Sequence, residues 1–161
     1  MRSCVFLLVV GAACLLAVTL HGTAADKDSI SVELKAFKFK VKEDKASLFG
    51  FNEGEDKLFF YTNGEGEATV KVPADGDYEI VIKASCDSAL NERAKFKVRI
   101  DGTEVGKETL LTADEPKEYR LTAKLKEGDR KLSIEFTNDA YKENEYDRNL
   151  YVHAVTLKQT K

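Results

Sequence analysis

A chain of 161 residues with 43% apolar and 33% charged residues and a formal net charge of −3 has the composition of an ordinary globular protein. Acidic and basic residues are interspersed, so the basic footprint of a nucleic-acid binder is missing and no nucleic-acid partner is expected. Three cysteines, two histidines and no tryptophan leave little for a disulfide scaffold, thiol–imidazole catalysis or a broad aromatic platform.

The N-terminus reads as a targeting segment. Arg2 supplies a positive start, Val5 to Leu20 form an apolar run, and Thr23-Ala24-Ala25 offers small residues for signal peptidase. Residues 1–25 are therefore expected to be a signal peptide and 26–161 a single domain, secreted, periplasmic or held at the cell surface. The run is short for a membrane span and nothing later is apolar enough for one, so no membrane partner is expected after its removal. A lipid anchor at Cys14 would want leucine upstream, where Gly11-Ala12-Ala13 stands. Cleavage removes Arg2, Cys4 and Cys14, leaving 24 basic against 28 acidic residues and Cys86 as the one cysteine.

From residue 30 onward the chain reads as strand after strand. Ile30, Val32 and Leu34 alternate, then Phe37, Phe39 and Val41 alternate in the opposite phase, which predicts a bulge or break near Lys35-Ala36. Lys57 to Tyr61 is a short aromatic strand, and Ala68 to Val72 follows the turn-rich Asn63-Gly64-Glu65-Gly66. Tyr78, Ile80, Ile82 and Ala84 share one side of the next strand, and Cys86 continues it, which predicts a buried, inert thiol. Phe96-Val98-Ile100 stops at Asp101-Gly102, a strong hairpin signal. Tyr119, Leu121, Ala123 and Leu125 alternate with polar residues, and Gly128-Asp129 turns the chain into Leu132-Ile134-Phe136. Leu150 to Leu157 is apolar on both faces, as a central strand should be, with His153 in phase with Tyr151, Val155 and Leu157. These segments predict an all-β fold, an antiparallel two-sheet β-sandwich. The rows Lys38, Lys40, Lys42 and Lys95, Lys97, Arg99 fit the solvated face of a sheet.

Two stretches between good strands stand out as loops, Ser88 to Arg93 and Asn138 to Asn149. The second holds Asn138, Asp139, Glu143, Asn144, Glu145, Asp147 and Asn149, with Tyr141 and Tyr146 among them. Carboxylates this close repel one another unless they splay into water or a cation neutralises them, and the residues alone leave both readings open. The spacing is not that of an EF-hand.

Phe136-Thr137-Asn138-Asp139 and Asp147-Arg148-Asn149-Leu150-Tyr151-Val152 resemble the signature of the calcium-dependent xylan-binding carbohydrate-binding modules. Tyr61-Thr62-Asn63-Gly64, Val72-Pro73, Gly76-Asp77-Tyr78, Asp101-Gly102, Tyr119 and Gly128 extend the likeness over most of the chain. The resemblance implies a jelly-roll, galactose-binding-like sandwich with Ca2+ held in a loop at one end and sugar hydroxyls completing its coordination. It implies Asp139 and Asp147 as metal ligands and Asn149 as a ligand or a brace. Tyr141, Tyr146, Asn138 and Arg148 would form the ligand-binding set, with Arg148 pairing with a carboxylate of the loop to fix its shape. Where the family commonly has aspartate, this chain has His153, which speaks against a second, structural cation involving Glu33.

The function expected on this basis is non-catalytic binding of xylan or a related β-glycan through calcium. A sandwich serving as a structural or protein-interaction module without glycan affinity is the alternative, and an enzyme is disfavoured because the acidic residues crowd one loop. Oligomeric state is left open by the sequence.

Overall fold

The computed structural model describes residues 29–40 and 43–160. The signal-peptide reading over 1–25, with Cys4 and Cys14, and the expectations for Val41 and Lys42 lie outside the described residues. Fourteen strands follow in order: β1 (Ser29–Ser31), β2 (Lys38–Phe39), β3 (Phe49–Asn52), β4 (Lys57–Phe60), β5 (Gly64–Val72), β6 (Gly76–Asp87) and β7 (Lys95–Ile100). Then come β8 (Thr103–Glu104), β9 (Thr109–Leu110), β10 (Lys117–Leu125), β11 (Gly128–Phe136), β12 (Tyr141–Lys142), β13 (Tyr146–Asp147) and β14 (Asn149–Gln159). Two short 3-10 turns, Leu34–Ala36 and Glu43–Leu48, complete the described elements.

One sheet runs β10-β6-β14-β4-β3, with β1 added beside β14; the other runs β2-β5-β11-β7-β8, with β9 also on β7. All pairings are antiparallel, and β12 with β13 forms a separate ribbon. The antiparallel sandwich expected from the alternation is the fold adopted. Its core takes Tyr78, Ile80, Ile82 and Ala84 from β6, Leu58 and Phe60 from β4, and Leu150, Val152, Val155 and Leu157 from β14. Opposite them sit Ala68, Val70 and Val72 of β5, Phe96 and Val98 of β7, and Leu132, Ile134 and Phe136 of β11. Each such aliphatic side chain contributes roughly 1.5–3 kcal/mol by leaving water. Phe39, Phe49 and Phe60 close one flank edge to face, with Phe60 5.3 Å from Phe39 and 6.1 Å from Phe49.

The predicted break near Lys35-Ala36 is a 3-10 turn rather than a bulge. Ala36 N–H donates to Glu33 O and Phe37 N–H to Leu34 O, at 3.0 and 3.1 Å. The turn carries the chain from β1 in one sheet to β2 in the other, so both runs of the alternation can face one core. The bulge occurs instead in β14, where the register on β6 shifts between Val152 and Ala154. That extra residue reverses the phase at His153. The inward set is Leu150, Val152, Val155 and Leu157, so the expectation that His153 and Tyr151 share a side with Val155 and Leu157 is corrected. Asp101 and Gly102, at φ 49° and 80°, form the expected two-residue hairpin joining β7 to β8.

The cationic rows behave as a solvated face. Lys40 pairs with Glu67 (3.0 Å), Lys97 with Glu104 (3.4 Å) and Arg99 with Glu135 (2.7 Å), crossing strands of the second sheet. Such exposed pairs are screened by solvent and add little stability, but they pair these cations with carboxylates.

Gly64 opens β5 directly against the Phe49 ring, where a Cβ would overlap the aromatic carbons. Gly64→Ala is expected to cost about 1–3 kcal/mol in chemical denaturation. Gly54→Ala, whose Cβ would meet only Asn52 Oδ1 at 3.4 Å, is the control and should stay near wild type.

Candidate functional site

The segment expected to be an irregular loop is a small β-ribbon. Tyr141 pairs with Asp147 and Lys142 with Tyr146, and Glu145 N–H donates to Lys142 O at 3.0 Å across a turn in which Asn144 has φ 60°. Arg148 N–H on Ala140 O (2.9 Å) continues the ladder toward β14. Glu143 and Glu145 project from the exposed tip, so the acidic flank is spread into water. Tyr141 and Asp147, being cross-strand partners, are presented together.

The ribbon leans over the end of the first sheet and closes a cleft of about 410 Å³ lined by Leu48, Tyr61, Thr62, Asp139, Tyr141 and Asp147. Asp139 is half-buried there. Its Oδ2 accepts from Thr62 Oγ1 at 2.8 Å, and its backbone N–H donates to Asn63 Oδ1 at 2.7 Å. Its Oδ1 is buried without a partner. Behind the cleft, the Asn149 side-chain nitrogen donates to Asp147 Oδ2 and to Asp87 Oδ2, both at 3.0 Å. Tyr151 O–H donates to Asp87 Oδ2 at 2.6 Å. Burial and then the Asp87 carboxylate push the Tyr151 phenol far above its ordinary range.

Arg148 is buried, with a side chain donating to Glu92 O through Nε (3.0 Å) and to the carbonyls of Asn138 and Ala89 through its terminal nitrogens. Its carboxylate partner is Glu92 at 3.5 Å, in the Ser88 to Arg93 loop, not an acid of its own loop. That second loop is a tight turn: Ala89 and Glu92 exchange backbone bonds of 3.0 Å, with Leu90 and Asn91 at φ 55° and 59°. Asn138 is likewise turned into the scaffold, accepting from Lys95 N–H at 2.6 Å and donating to Arg93 O at 2.9 Å.

The structure thus brings Asp139, Asp147 and Tyr141 into one cleft, with Asn149 against Asp147. Asn138, Arg148 and the half-buried Tyr146 are not among its lining residues. Sequence reasoning passed over Leu48, Thr62, Asn63 and Asp87 as site residues. The run Tyr61-Thr62-Asn63, polar and aromatic at a strand end, was the available signal for the middle two.

The donor set fits a hard cation. Asp139 and Asp147 offer carboxylates, with the Asp139 Oδ1 buried and unpartnered, and no thiolate or imidazole lines the cleft; Asn149, behind it, carries a second unpartnered acceptor. Among the described residues, no three His, Cys, Asp or Glu side chains converge to hold a metal unaided. The side chains present would therefore form part of a calcium shell, leaving positions for neutral oxygens.

His153 sits half-buried on the bulge with Nε2 2.7 Å from Ser85 Oγ, and burial, then Lys57 and Lys83, hold its basicity down. Cys86 is buried with its thiol pushed up, chiefly by burial.

The fold is an antiparallel sandwich whose cleft sets two carboxylates beside aromatic and aliphatic side chains. This chain belongs to the family described as Ca-dependent xylan-binding carbohydrate-binding modules, which matches residues 79–161, just over half its length. Among solved structures it is similar to the CBM36-1 domain of a multidomain xylanase from the hindgut metagenome of Trinervitermes trinervoides. That likeness has a TM-score of 0.60 at 13% identity and covers 83% of this chain and 98% of that one. A CBM36 module in complex with calcium and xylotriose is similar over 80% of this chain and 98% of that one (TM-score 0.57, 18% identity). A CBM35 from Paenibacillus barcinonensis follows over 82% and 98% (TM-score 0.54, 16% identity). No curated protein sequence matches.

Arg148→Ala removes the side-chain bonds that tie Ala89, Glu92 and Asn138 together and is expected to lower stability by about 3 kcal/mol in chemical denaturation. Wild-type stability would rule out the strut. Cys86 should react with a thiol reagent only on unfolding; rapid labelling of the folded protein would contradict its burial.

Proposed function

We propose that the protein is an exported, non-catalytic carbohydrate-binding module that holds xylan or a related β-glycan through calcium at the Asp139–Asp147 cleft. The observation that carries this reading is the buried, partnerless Oδ1 of Asp139 in a cleft shared with Asp147 and Tyr141. Family membership and the similarity to a module complexed with calcium and xylotriose support it.

When bound, calcium supplies a seat at which vicinal sugar hydroxyls replace water, since its flexible shell takes neutral oxygens beside carboxylates. The chain's own residues do the rest. Thr62 and Asn63 lock the Asp139 side chain and backbone, so the free oxygen keeps its direction. The ribbon pairing holds Asp147 beside Tyr141, whose ring, 64% exposed, offers apolar area to a sugar face. Discrimination would fall on which hydroxyls are free, so substitution at those hydroxyls should exclude a glycan. Export of a domain over 26–161 behind residues 1–25 completes the proposal.

The test is depletion of the purified protein by insoluble xylan, with calcium and with chelator, beside Asp139→Ala and Asp147→Ala. Depletion with calcium alone, lost at least tenfold in both variants while circular dichroism keeps its β signature, is the expected result. Full affinity in either variant would overturn the ligand assignment. Depletion in neither condition would favour a structural or protein-interaction module.

A further inference from the structure

We infer that Asp87, which lies outside the acidic ribbon, is the positioning residue of the cleft, holding Asp147 in place through the amide of Asn149. The inference deepens the calcium reading and rests on it. It begins with strand geometry. In Asp147-Arg148-Asn149-Leu150-Tyr151, alternate residues share a side, so Asp147, Asn149 and Tyr151 face together while Arg148 and Leu150 turn inward. Asp87 ends β6 in direct register with Asn149.

Two carboxylates then meet one amide. Asn149 Nδ2 lies 3.0 Å from both Asp87 Oδ2 and Asp147 Oδ2. Like charges converging on one point repel unless a donor stands between them, and the amide is that donor. Asn149 is 4% exposed, and its Oδ1 has no partner. Nothing on the carbonyl side therefore fixes which way the amide points; its orientation is set wholly by the two acceptors at the nitrogen end. Removing Asp87 halves that preference. The amide can then turn over and present Oδ1 to Asp147, which pushes the carboxylate away instead of holding it. Tyr151 O–H donates to the same Asp87 oxygen at 2.6 Å, which opposes its swinging aside.

The test uses calcium alone as probe, by titration calorimetry on the full-length domain, with amide NMR of the cation-free protein as a second readout. Asp87→Ala is expected to weaken calcium binding about 10–100-fold. It should also shift or broaden the Asn149 side-chain NH2 signals while the backbone spectrum persists. Asp87→Asn keeps an oxygen that accepts from Asn149 and Tyr151 and should bind near the wild-type value; it also keeps the test alive if the alanine variant fails to fold. Wild-type affinity and an unmoved Asn149 signal in Asp87→Ala would overturn the inference alone. Equal losses in both variants would overturn the positioning role, since Asp87 would then act by its charge. A wild type that binds no calcium would overturn the calcium reading, and this inference with it.

Discussion

The binding end of the molecule depends on one buried guanidinium. Arg148 is 3% exposed, and taking its charge out of water would cost several kcal/mol if it stood alone. It is compensated by carbonyls of Ala89, Glu92 and Asn138, which belong to two segments far apart in sequence. Two of those carbonyls, of Ala89 and Glu92, also accept a backbone N–H across their own turn. The exchange works both ways: the loops solvate the cation, and the cation joins the loops into one body. Arginine suits this role because its planar fork reaches several acceptors at once, which a lysine ammonium on one stem cannot do in the same geometry.

From that joint the cleft takes its shape. The ribbon of β12 and β13 is too short to stand by itself. It is held at its base by Arg148 and by Asn138, whose side chain is bonded to the start of β7. On the opposite wall, Thr62 and Asn63 reach from the end of β4 to grip Asp139. Between the sandwich below and the clamped rim above, the Oδ1 atoms of Asp139 and Asn149 are buried without a partner. Unsatisfied buried acceptors are costly, and on the proposed reading a bound cation would relieve that cost.

Much of the fold was legible in the sequence. Period-2 alternation found the long strands, the Asp101-Gly102 pair found its hairpin, and the position of Cys86 found its burial. What escaped has a common cause. The bulge at His153 has no residue signature; it is a shift of register on β6, lying between the stretch of β14 paired with β4 and the stretch paired with β1. The 3-10 turn after Glu33 exists because the two halves of one apolar run serve different sheets. The acidic ribbon and its Asp139 and Asp147 were visible as composition and as family likeness. Arg148's true partners were not, since the carbonyls of Ala89 and Glu92 advertise nothing in a sequence. Asp87 was equally hidden: its meeting with Asn149 depends on strand register across 62 positions.

The cleft and its supports draw on four stretches of chain, around Leu48, Tyr61 to Asn63, Asp87 to Arg93 and Asn138 to Asn149. No one of them contains a usable site, and none is held in place without both sheets. On the proposed reading, recognition is therefore a property of the whole cooperative unit and not of a transferable peptide. Linkage then works in both directions. A ligand that occupies the cleft at a hundred times its dissociation constant adds about 2.7 kcal/mol to the folded state, so the melting temperature itself becomes a reporter of occupancy.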